Sequence, residues 1–452
     1  MLLPSSLRDH SVGSFSVMPT GLFTFALPIL VSTILVSTIH ATDAAHQTSS
    51  CGNAVPASQT YGINLHNHFP TDAALNQMRE AGLTTFRVDG FDWKVMEVKP
   101  NTYDLSGYDK VIPRFQAKGL RIVTGIGHDP PSWYNGSIYT EQTQIGLANM
   151  YAALSSKYSN VMWEFTNEPN NNPLWSNNAS GFTVLANRLC DAIHAGSSTN
   201  TCVGPSSAFI SRKFRDFDWL QQTFEAGLLD HIDALLVHPY RADAPETAIP
   251  DFQTLRQLVL SYAPFNKNID IFNGEWGYAS GSGSSPLVTL KEQGILAARV
   301  FLVSHLVSDG FSIWYEWVDG GTTPSGELMG LVLDDFDPNR KTDPFTPKPS
   351  YNATKALARI TKGTSFVGRI PTFQDGATTA DEYVLKFENK TTGRIVLAAW
   401  SLAGFPHITR LSGGRGCFDV FDLYGNNLNI VCEDPRGIHL NLTQSPIYLI
   451  SK

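Results

Sequence analysis

The alternation of strand-like and helix-like segments between residues 60 and 360 is the feature that most constrains the fold. Eight short segments are apolar and rich in β-branched or aromatic residues, as strands buried on both faces are; they lie at 61–65, 84–88, 121–126, 161–165, 201–205, 232–237, 269–273 and 311–317. Helical apolar spacing occurs between them, at 71–82, 108–119, 141–158, 181–196, 251–262 and 290–310. Eight strands alternating with helices predict an α/β fold, a (β/α)8 TIM barrel.

An open, doubly wound sheet is the main alternative to the barrel. Such a sheet usually carries a glycine-rich phosphate-binding turn after its first strand, and the segment 61–69, YGINLHNHF, has none. From about residue 361 the pattern changes to strands joined by turns, with no helical stretch among them. We therefore predict a barrel over residues 46–360, followed by a C-terminal β-sandwich domain over residues 361–452.

The N-terminal segment bears on the compartment. Residues 21–39 are apolar and uncharged, and small residues follow at 40–45. This pattern is typical of a signal peptide, so we expect residues 1–45 to be removed and the protein to be secreted. The alternative is that residues 21–39 anchor the chain in a membrane, with the barrel outside. Five N-x-[ST] sequons give weak support for secretion and for a glycoprotein; they lie at Asn135, Asn178, Asn352, Asn389 and Asn441.

The cysteines suggest local disulfide bonds. None of the five forms a C-x-x-C motif, which argues against zinc-ribbon and thioredoxin-like sites. The short spacings favour the pairs Cys190–Cys202 and Cys417–Cys432, with Cys51 left over, if the compartment is oxidising. Five buried free thiols are the alternative for a cytosolic chain.

Charge and composition restrict the partners. Lys and Arg number 33 and Asp and Glu 41, so the net charge is −8, and no basic run occurs. Nucleic acid and anionic lipid are therefore poor candidates. Hydrophobic residues make up 42% of the chain and charged residues 16%, enough for a large core, and aromatic residues make up 11%. Some of these rings are expected to line a sugar-binding cleft.

Two carboxylates follow predicted strands on opposite sides of the barrel. Glu168 lies in WEFTNEPN (163–170), after the fourth strand, and Glu275 lies in IFNGEWGY (271–278), after the seventh. Barrel enzymes place catalytic groups at the C-terminal ends of their strands. Hydrolysis of a glycosidic bond needs two carboxyl groups flanking that bond, one protonated and one ionised. The spacing therefore predicts a glycoside hydrolase.

These motifs resemble those of clan A of the glycoside hydrolases, the retaining (β/α)8 enzymes. The segment WEFTNEPN is similar to the WEVWNEPN-type segment of family 39, and the sandwich after the barrel is similar to that family and its exopolysaccharide endoglycosidase branch. The HPY sequence at 238–240 and the Trp-rich eighth strand add to the resemblance. Thr166 departs from it, because family 39 often has an aromatic residue there, so families 5, 30 and 79 of the same clan stay open.

The resemblance implies roles for individual residues. Glu168 is expected to be the general acid/base and Glu275 the nucleophile of a double displacement. The remaining expected contacts with the substrate or the nucleophile are Arg87, His128, Asn167, His238, Tyr240, Trp314 and Trp317. Arg87 would keep Glu275 ionised, because a nearby cation lowers the pKa of a carboxyl group. One of the two tryptophans is expected to be in the core, because side chains alternate along a strand and their positions differ in parity.

The expected function is therefore hydrolysis of a β-glycosidic bond in a polysaccharide, oligosaccharide or glycoconjugate. No cofactor and no metal are implied, since His66 and His68 have no third ligand in view. A non-catalytic carbohydrate-binding protein on the same fold is the alternative, although both glutamates are present. A serine hydrolase is disfavoured because the chain has no G-x-S-x-G motif.

Overall fold

A computed structural model describes most of the chain after residue 55. The described residues are 56–66, 69–89, 91–134, 137–138, 140–210, 216–281, 288–320, 328–340, 342–374, 377–411 and 416–452. The expected signal peptide, Cys51, His68 and the sequon at Asn135 lie outside these ranges.

Eight parallel strands close into a barrel. In chain order they are β1 (Tyr61–Asn64), β2 (Thr85–Val88), β3 (Arg121–Gly125), β4 (Met162–Glu164), β5 (Thr201–Val203), β6 (Ala234–His238), β7 (Asp270–Trp276) and β8 (Ser312–Trp314). Each strand pairs in parallel with the next, and β8 pairs with β1, which closes the ring. The predicted TIM barrel is therefore confirmed.

Eight helices of the described residues surround the strands. They are α1 (Asp72–Glu80), α2 (Ser106–Gln116), α3 (Glu141–Lys157), α4 (Ala179–Gly196), α5 (Asp216–Glu225), α6 (Ile249–Tyr262), α7 (Leu290–Val307) and α8 (Pro349–Thr361). Side-chain caps begin several of them: Thr71 accepts a hydrogen bond from the Ala74 amide, and Thr289 with Glu292 forms a capping box. Short helical segments at Trp93–Met96 and Leu228–His231 lie in the connections.

The sequence pattern predicted six of these helices and missed α5 and α8. Helix α8 begins with Pro, Ser, Tyr, Asn, Ala and Thr, several of which are weak helix formers. Its inward side chains, among them Tyr351, Leu357 and Ile360, are almost fully buried. Tertiary packing therefore stabilises a helix that its local propensity signals poorly.

The C-terminal region is a β-sandwich of two antiparallel sheets, as predicted. Its strands are β9 (Ser365–Arg369), β10 (Thr372–Gln374), β11 (Ala377–Thr378), β12 (Glu382–Glu388), β13 (Ile395–Ser401), β14 (His407–Leu411), β15 (Cys417–Phe421), β16 (Asn427–Cys432), β17 (Ile438–Leu442) and β18 (Ile447–Ser451). One sheet has the order β9-β12-β13-β18-β15-β16 and the other β11-β10-β14-β17. Alternate side chains such as Val384, Leu397 and Leu440 fill the space between them.

The barrel and the sandwich share a buried polar contact within one compact unit. Arg299 of α7 donates to both carboxylate oxygens of Glu246, at 2.8 and 2.5 Å, and Trp400 of β13 donates from Nε1 to Glu246 Oε1 at 2.7 Å. All three residues are at most 4% exposed. A buried carboxylate with several donors is well paired, so this contact fixes the sandwich against the barrel helices.

Both predicted disulfides are present. Cys190 of α4 is bonded to Cys202 of β5, and Cys417 is bonded to Cys432 across the hairpin of β15 and β16. Among the residues described, none of the helices has the length and apolar character needed to cross a membrane.

Candidate active site

The candidate site lies at the C-terminal ends of the barrel strands, where a cavity of about 690 Å³ opens. Arg87 is in β2, His238 ends β6 and Glu275 is near the end of β7. Glu168 lies four residues past β4, and both glutamates line the cavity. Because all eight strands are parallel, their C-terminal ends meet at one rim, and residues distant in sequence converge there.

The backbone at Glu168 turns its side chain toward the cavity. Glu168 has a φ of 43° and a ψ of 53°, in the left-handed region that non-glycine residues seldom adopt. Its amide donates to the Ser206 carbonyl at 3.1 Å, and Pro169 then begins a short 3-10 turn. Such conformations persist where surrounding contacts determine them, and they are common at functional sites.

The two candidate carboxyl groups are close together. Carboxylate oxygens of Glu168 and Glu275 and a ring nitrogen of His238 all lie within 4.8 Å of one another. His238 Nδ1 is 2.9 Å from Glu168 Oε1 and 3.7 Å from Glu275 Oε2. His238 is fully buried, so its imidazole links the two carboxyl groups electrostatically.

Glu275 accepts hydrogen bonds from three different strand ends. Arg87 donates from Nη1 to Oε1, Tyr240 donates its hydroxyl to Oε2 at 2.9 Å, and Asn64 donates from Nδ2 to Oε1 at 3.5 Å. Every one of these donors favours the ionised form of the carboxyl group.

Arg87 is itself held rigidly. Its Nε and Nη2 donate to the two oxygens of Glu164 at 2.6 and 2.8 Å, and Nη2 also donates to Asn167 Oδ1 at 2.8 Å. Ser206 donates its hydroxyl to Glu164 Oε1 at 2.5 Å. Arg87 and Glu164 are both 2% exposed. This fork-to-carboxylate pair leaves the guanidinium one orientation, with Nη1 directed at Glu275.

The pKa values of the two glutamates shift in opposite directions. Burial raises the pKa of Glu275 above its ordinary value, against the opposing charges of His238 and Arg87. Burial also acts to raise the pKa of Glu168, but the hydrogen bond and charge of His238 outweigh it, and that pKa is lowered. Burial disfavours charge on His238, yet Glu275 and Glu168 raise its pKa overall. The three groups therefore titrate as a coupled set.

His128 lines the same cavity as a neutral imidazole. Burial lowers its pKa to about 4. Its Nε2 is buried and, among the described atoms, has no hydrogen-bond partner. A buried ring nitrogen without a partner beside a polar cavity is suited to meet a ligand hydroxyl.

The structure corrects the expectation that Trp314 and Trp317 contact the substrate. Trp314 is fully buried and donates from Nε1 to the Met329 carbonyl, and Trp317 is 1% exposed, so both belong to the core. The argument from alternation does not apply to Trp317, because β8 ends at Trp314. Near the end of β8 the ring of Tyr315 lines the cavity, and the rings of Phe91 and Trp175 line it elsewhere.

The structure brings together most of the expected residues and adds others. Five of them line the cavity, namely Arg87, His128, Asn167, Glu168 and Glu275. His238 and Tyr240 do not line it, but His238 contacts Glu168 and Tyr240 contacts Glu275. The sequence interpretation assigned no site role to Asn64, Asp89, Glu164 or Tyr315, and it considered His66 only as a metal ligand. The signal that could have found Asn64 and Asp89 is their position at the ends of β1 and β2.

His66 is part of a small network at the rim. Its Nδ1 lies 3.0 Å from Glu316 Oε2 and 2.7 Å from the Tyr315 hydroxyl. The hydrogen bond to Glu316 raises the pKa of His66. The network holds the Tyr315 side chain at the edge of the cavity.

A metal ion has one candidate ligand set among the described residues, namely Glu168, His238 and Glu275. His238 Nδ1, the ring nitrogen nearest the carboxylates, is already within hydrogen-bond distance of Glu168. His238 Nδ1 therefore lies near two carboxyl groups and is hydrogen-bonded to one of them, Glu168.

Comparison with known families agrees with this geometry. The profile of the family described as cellulase (glycosyl hydrolase family 5) matches residues 48–317. The chain belongs to glycosyl hydrolase family 5. It is thus a clan A glycoside hydrolase, as the strand-end motifs indicated, and it acts on O-glycosyl bonds of carbohydrates.

Solved structures of other clan A enzymes share the fold of this family 5 chain. A family 39 glycoside hydrolase from Bacteroides cellulosilyticus WH2 is 21% identical with a TM-score of 0.72, covering 88% of this chain and 82% of that one. A family 30 endoxylanase from Clostridium papyrosolvens C71 is 13% identical with a TM-score of 0.58, covering 89% and 98%. A family 39 β-xylosidase from Caulobacter crescentus is 14% identical with a TM-score of 0.56, covering 89% and 98%. A search of curated proteins finds no significant match.

Proposed function

We propose that this enzyme cleaves a β-glycosidic bond with retention of configuration, by a double displacement in which Glu275 is the nucleophile and Glu168 the general acid/base. The observation that carries the proposal is the separation of the two carboxyl groups. Their oxygens lie within 4.8 Å, whereas retaining enzymes have carboxyl groups about 5–5.5 Å apart and inverting enzymes about 6.5–9.5 Å apart. The separation is short for an inverting mechanism, which needs wider spacing to place a water molecule on the opposite face of the sugar.

The hydrogen-bond donors support the assignment of roles. Glu275 accepts from Arg87, Tyr240 and Asn64, which stabilise a carboxylate ready to attack the anomeric carbon. The Glu168 side chain is more exposed, at 23% against 11% for Glu275, which suits a group that meets the leaving oxygen and later a water molecule.

The pKa directions in the free protein are the reverse of those that the first step requires, since Glu168 has the lowered pKa and Glu275 the raised one. A bound sugar would displace water from the partly exposed Glu168 and raise its pKa. His238 contacts both carboxyl groups and provides the path by which their protonation is coupled. We therefore propose that substrate binding moves the proton on His238 Nδ1 to Glu168: the N–H bond breaks, an O–H bond forms on Glu168, His238 becomes neutral and Glu275 stays ionised.

The reaction then has two steps. Glu168 protonates the leaving oxygen while Glu275 forms an ester with the anomeric carbon, and Glu168, now ionised, removes a proton from the water that hydrolyses this ester. We propose that Asn167 and His128 contact sugar hydroxyls and that the Tyr315 ring packs against the sugar at the point of cleavage.

Substitution of the two glutamates tests the mechanism. We expect Glu275→Ala to abolish turnover on every substrate. Glu168→Ala should still be glycosylated by substrates with an activated phenol, which leaves without protonation, and external azide should then release a β-glycosyl azide. Glu141→Ala, at an exposed residue of α3, is the matched control and should keep full activity.

Proton NMR of the first product decides the stereochemistry. A β-configured product from a β-glycoside supports retention. An α-configured first product would refute both the double displacement and the assigned pairing of Glu168 with Glu275.

We further propose that the protein is secreted after removal of residues 1–45 and consists of a barrel domain (46–360) and a sandwich domain (361–452). The two disulfides support an oxidising compartment. N-terminal sequencing from a eukaryotic secretory host should begin between about Thr42 and Cys51. An intact N-terminus recovered in a membrane pellet would support the anchor instead.

A further inference from the structure

A second cavity, of about 650 Å³, lies between helix α8 and the turn that joins β15 to β16. It is lined by Pro349, Asn352, Lys355, Ala356, Arg359, Tyr424 and Asn426. None of these residues lines the catalytic cavity. The two sides of this second cavity belong to the barrel and to the sandwich.

One of its lining residues is the asparagine of a glycosylation sequon. Asn352, Ala353 and Thr354 form the sequon on the first turn of α8. Ala353 and Thr354 are buried against the barrel, at 0% and 1% exposure, and Asn352 is on the exposed side of the helix. An attachment at Asn352 Nδ2 therefore points away from the core and toward the cavity it lines.

The other lining side chains offer contacts that suit an amino sugar. Tyr424 is 36% exposed and supplies an aromatic face, and Asn426 supplies an amide. Arg359 donates from Nη2 to the Gly425 carbonyl at 3.1 Å, which fixes the turn that carries both residues. A sugar ring has an apolar face that packs on an aromatic ring, and an acetamido group pairs with amides.

We propose that Asn352 carries an N-linked glycan and that its first N-acetylglucosamine lies in this cavity against Tyr424. The donor is the polyprenyl-pyrophosphate-linked oligosaccharide of a secretory pathway. The bond from the anomeric carbon to the pyrophosphate oxygen breaks, a bond to Asn352 Nδ2 forms, and Nδ2 loses a proton. The pyrophosphate lipid is the leaving group.

The sequon at Asn389 differs from that at Asn352, because its asparagine side chain is hydrogen-bonded within the folded protein. The Nδ2 of Asn389 donates to the Gly363 carbonyl at 2.7 Å, and its Oδ1 accepts from the amides of Thr391 and Thr392. Both ends of this amide are thus engaged within the protein, so Asn389 is the comparison site for glycan occupancy.

The seated sugar would join the last helix of the barrel to a turn of the sandwich. It would cover the Tyr424 ring and restrict motion of the β15–β16 hairpin relative to α8. The predicted effect is greater thermal stability of the full chain, with no change in catalysis, because the cavity is separate from the catalytic one.

The test uses the full chain secreted from a eukaryotic host that makes high-mannose glycans. Glycopeptide mass spectrometry should find Asn352 occupied. Endoglycosidase H leaves the first N-acetylglucosamine in place, so the trimmed protein should unfold at the same temperature as the untrimmed one. Asn352→Gln should lower the Tm by on the order of 2 °C. The control is the same pair, wild type and Asn352→Gln, made in a host that adds no N-glycan, where the two Tm values should be equal.

Tyr424→Ala tests whether the first N-acetylglucosamine stabilises the protein by packing against Tyr424. In this variant Asn352 should remain occupied, and the further change Asn352→Gln should no longer alter the Tm. Secreted protein with Asn352 unmodified would overturn the proposal. So would an occupied Asn352 whose replacement by Gln leaves the Tm unchanged in the wild-type background. Glycan occupancy and Tm are measured without turnover, so they do not depend on the catalytic mechanism. We expect kcat/KM, measured separately, to be the same in every variant.

Discussion

Arg87 is the residue around which the candidate site is organised. Its buried guanidinium donates to Glu164, Asp89, Asn167 and Glu275, so it joins strands β2, β4 and β7. Glu164 balances part of the positive charge of Arg87. Burial is the largest influence on the pKa of Glu275 and raises it. The neutral donors to Glu275 consequently matter more than they would in a site with a surplus of positive charge.

Tyr240→Phe tests that consequence. The substitution removes the hydroxyl that donates to Glu275 Oε2 at 2.9 Å. A hydrogen bond to a charged group contributes roughly 1.5–3 kcal/mol, so kcat/KM should fall by roughly 10- to 150-fold. Loss of a donor to the ionised form raises the pKa of Glu275, and the acid limb of the kcat/KM profile should move to higher pH. Tyr262→Phe, which removes a surface contact with Glu225, should leave the profile unchanged.

His128 leads to a different pH prediction. Because burial lowers its pKa to about 4, the imidazole is neutral throughout the range from pH 5 to pH 8. His128→Asn should raise KM or lower kcat through a lost contact, without moving either limb of the pH profile in that range. A limb that disappears in this variant would show that His128 titrates during catalysis.

At the scale of elements, the length of β7 positions Glu275, the proposed nucleophile. The apolar pattern predicted this strand to end at residue 273, but it continues to Trp276, and Glu275 lies within it. A strand residue has its backbone fixed by neighbouring strands on both sides, so its side chain is positioned more rigidly than one on a loop. The left-handed backbone conformation at Glu168 gives the proposed acid/base a comparably defined position.

The Cys190–Cys202 bond ties helix α4 to strand β5, next to the site. The loop it closes spans 12 residues, for which the chain-entropy estimate of stabilisation is about 3 kcal/mol. Both sulfurs are fully buried, so Cys190→Ala with Cys202→Ala should lower the free energy of unfolding by at least this amount, measured by urea titration. The Cys417–Cys432 bond closes a loop of 15 residues at a sheet edge. The matched double substitution Cys417→Ala with Cys432→Ala should lower the free energy of unfolding by less, because it leaves no core cavity.

At the scale of the whole molecule, His305 lies where the barrel meets the sandwich. Its ring stacks on that of Phe366, with 5.5 Å between the ring centroids, and contacts the rings of Phe387 at 5.0 Å and Tyr61 at 5.9 Å. Burial among these rings lowers the pKa of His305 to about 3. The folded protein therefore holds this histidine neutral, whereas the unfolded chain protonates it below about pH 6.5.

The sign of the pH effect follows from proton binding. Between pH 6.5 and 3 the unfolded state binds more protons at His305, so stability decreases as the pH falls through this window. The loss from this residue is at most about 2 kcal/mol at pH 5. His305→Gln should make the Tm less sensitive to acid over that interval, measured by thermal unfolding at pH 7 and pH 5. An equal Tm decrease in variant and wild type would exclude His305 as a cause.

The sequence alone determined the order of the elements and the identity of the two glutamates. Short apolar runs rich in β-branched and aromatic residues are local signals, and they located all eight barrel strands. The short spacings between cysteines predicted both disulfide pairs. Motifs at strand ends identified Glu168 and Glu275, because the barrel topology brings every strand end to one rim.

Tertiary structure decided the contacts between these residues. No local pattern shows that Glu164 would orient Arg87, that Trp314 and Trp317 would be buried, or that Tyr315 would line the cavity. Side-chain direction past the end of a strand depends on packing against distant segments, and alternation no longer governs it there. The pKa order of the two glutamates likewise depends on burial and on His238, which only the folded chain brings between them.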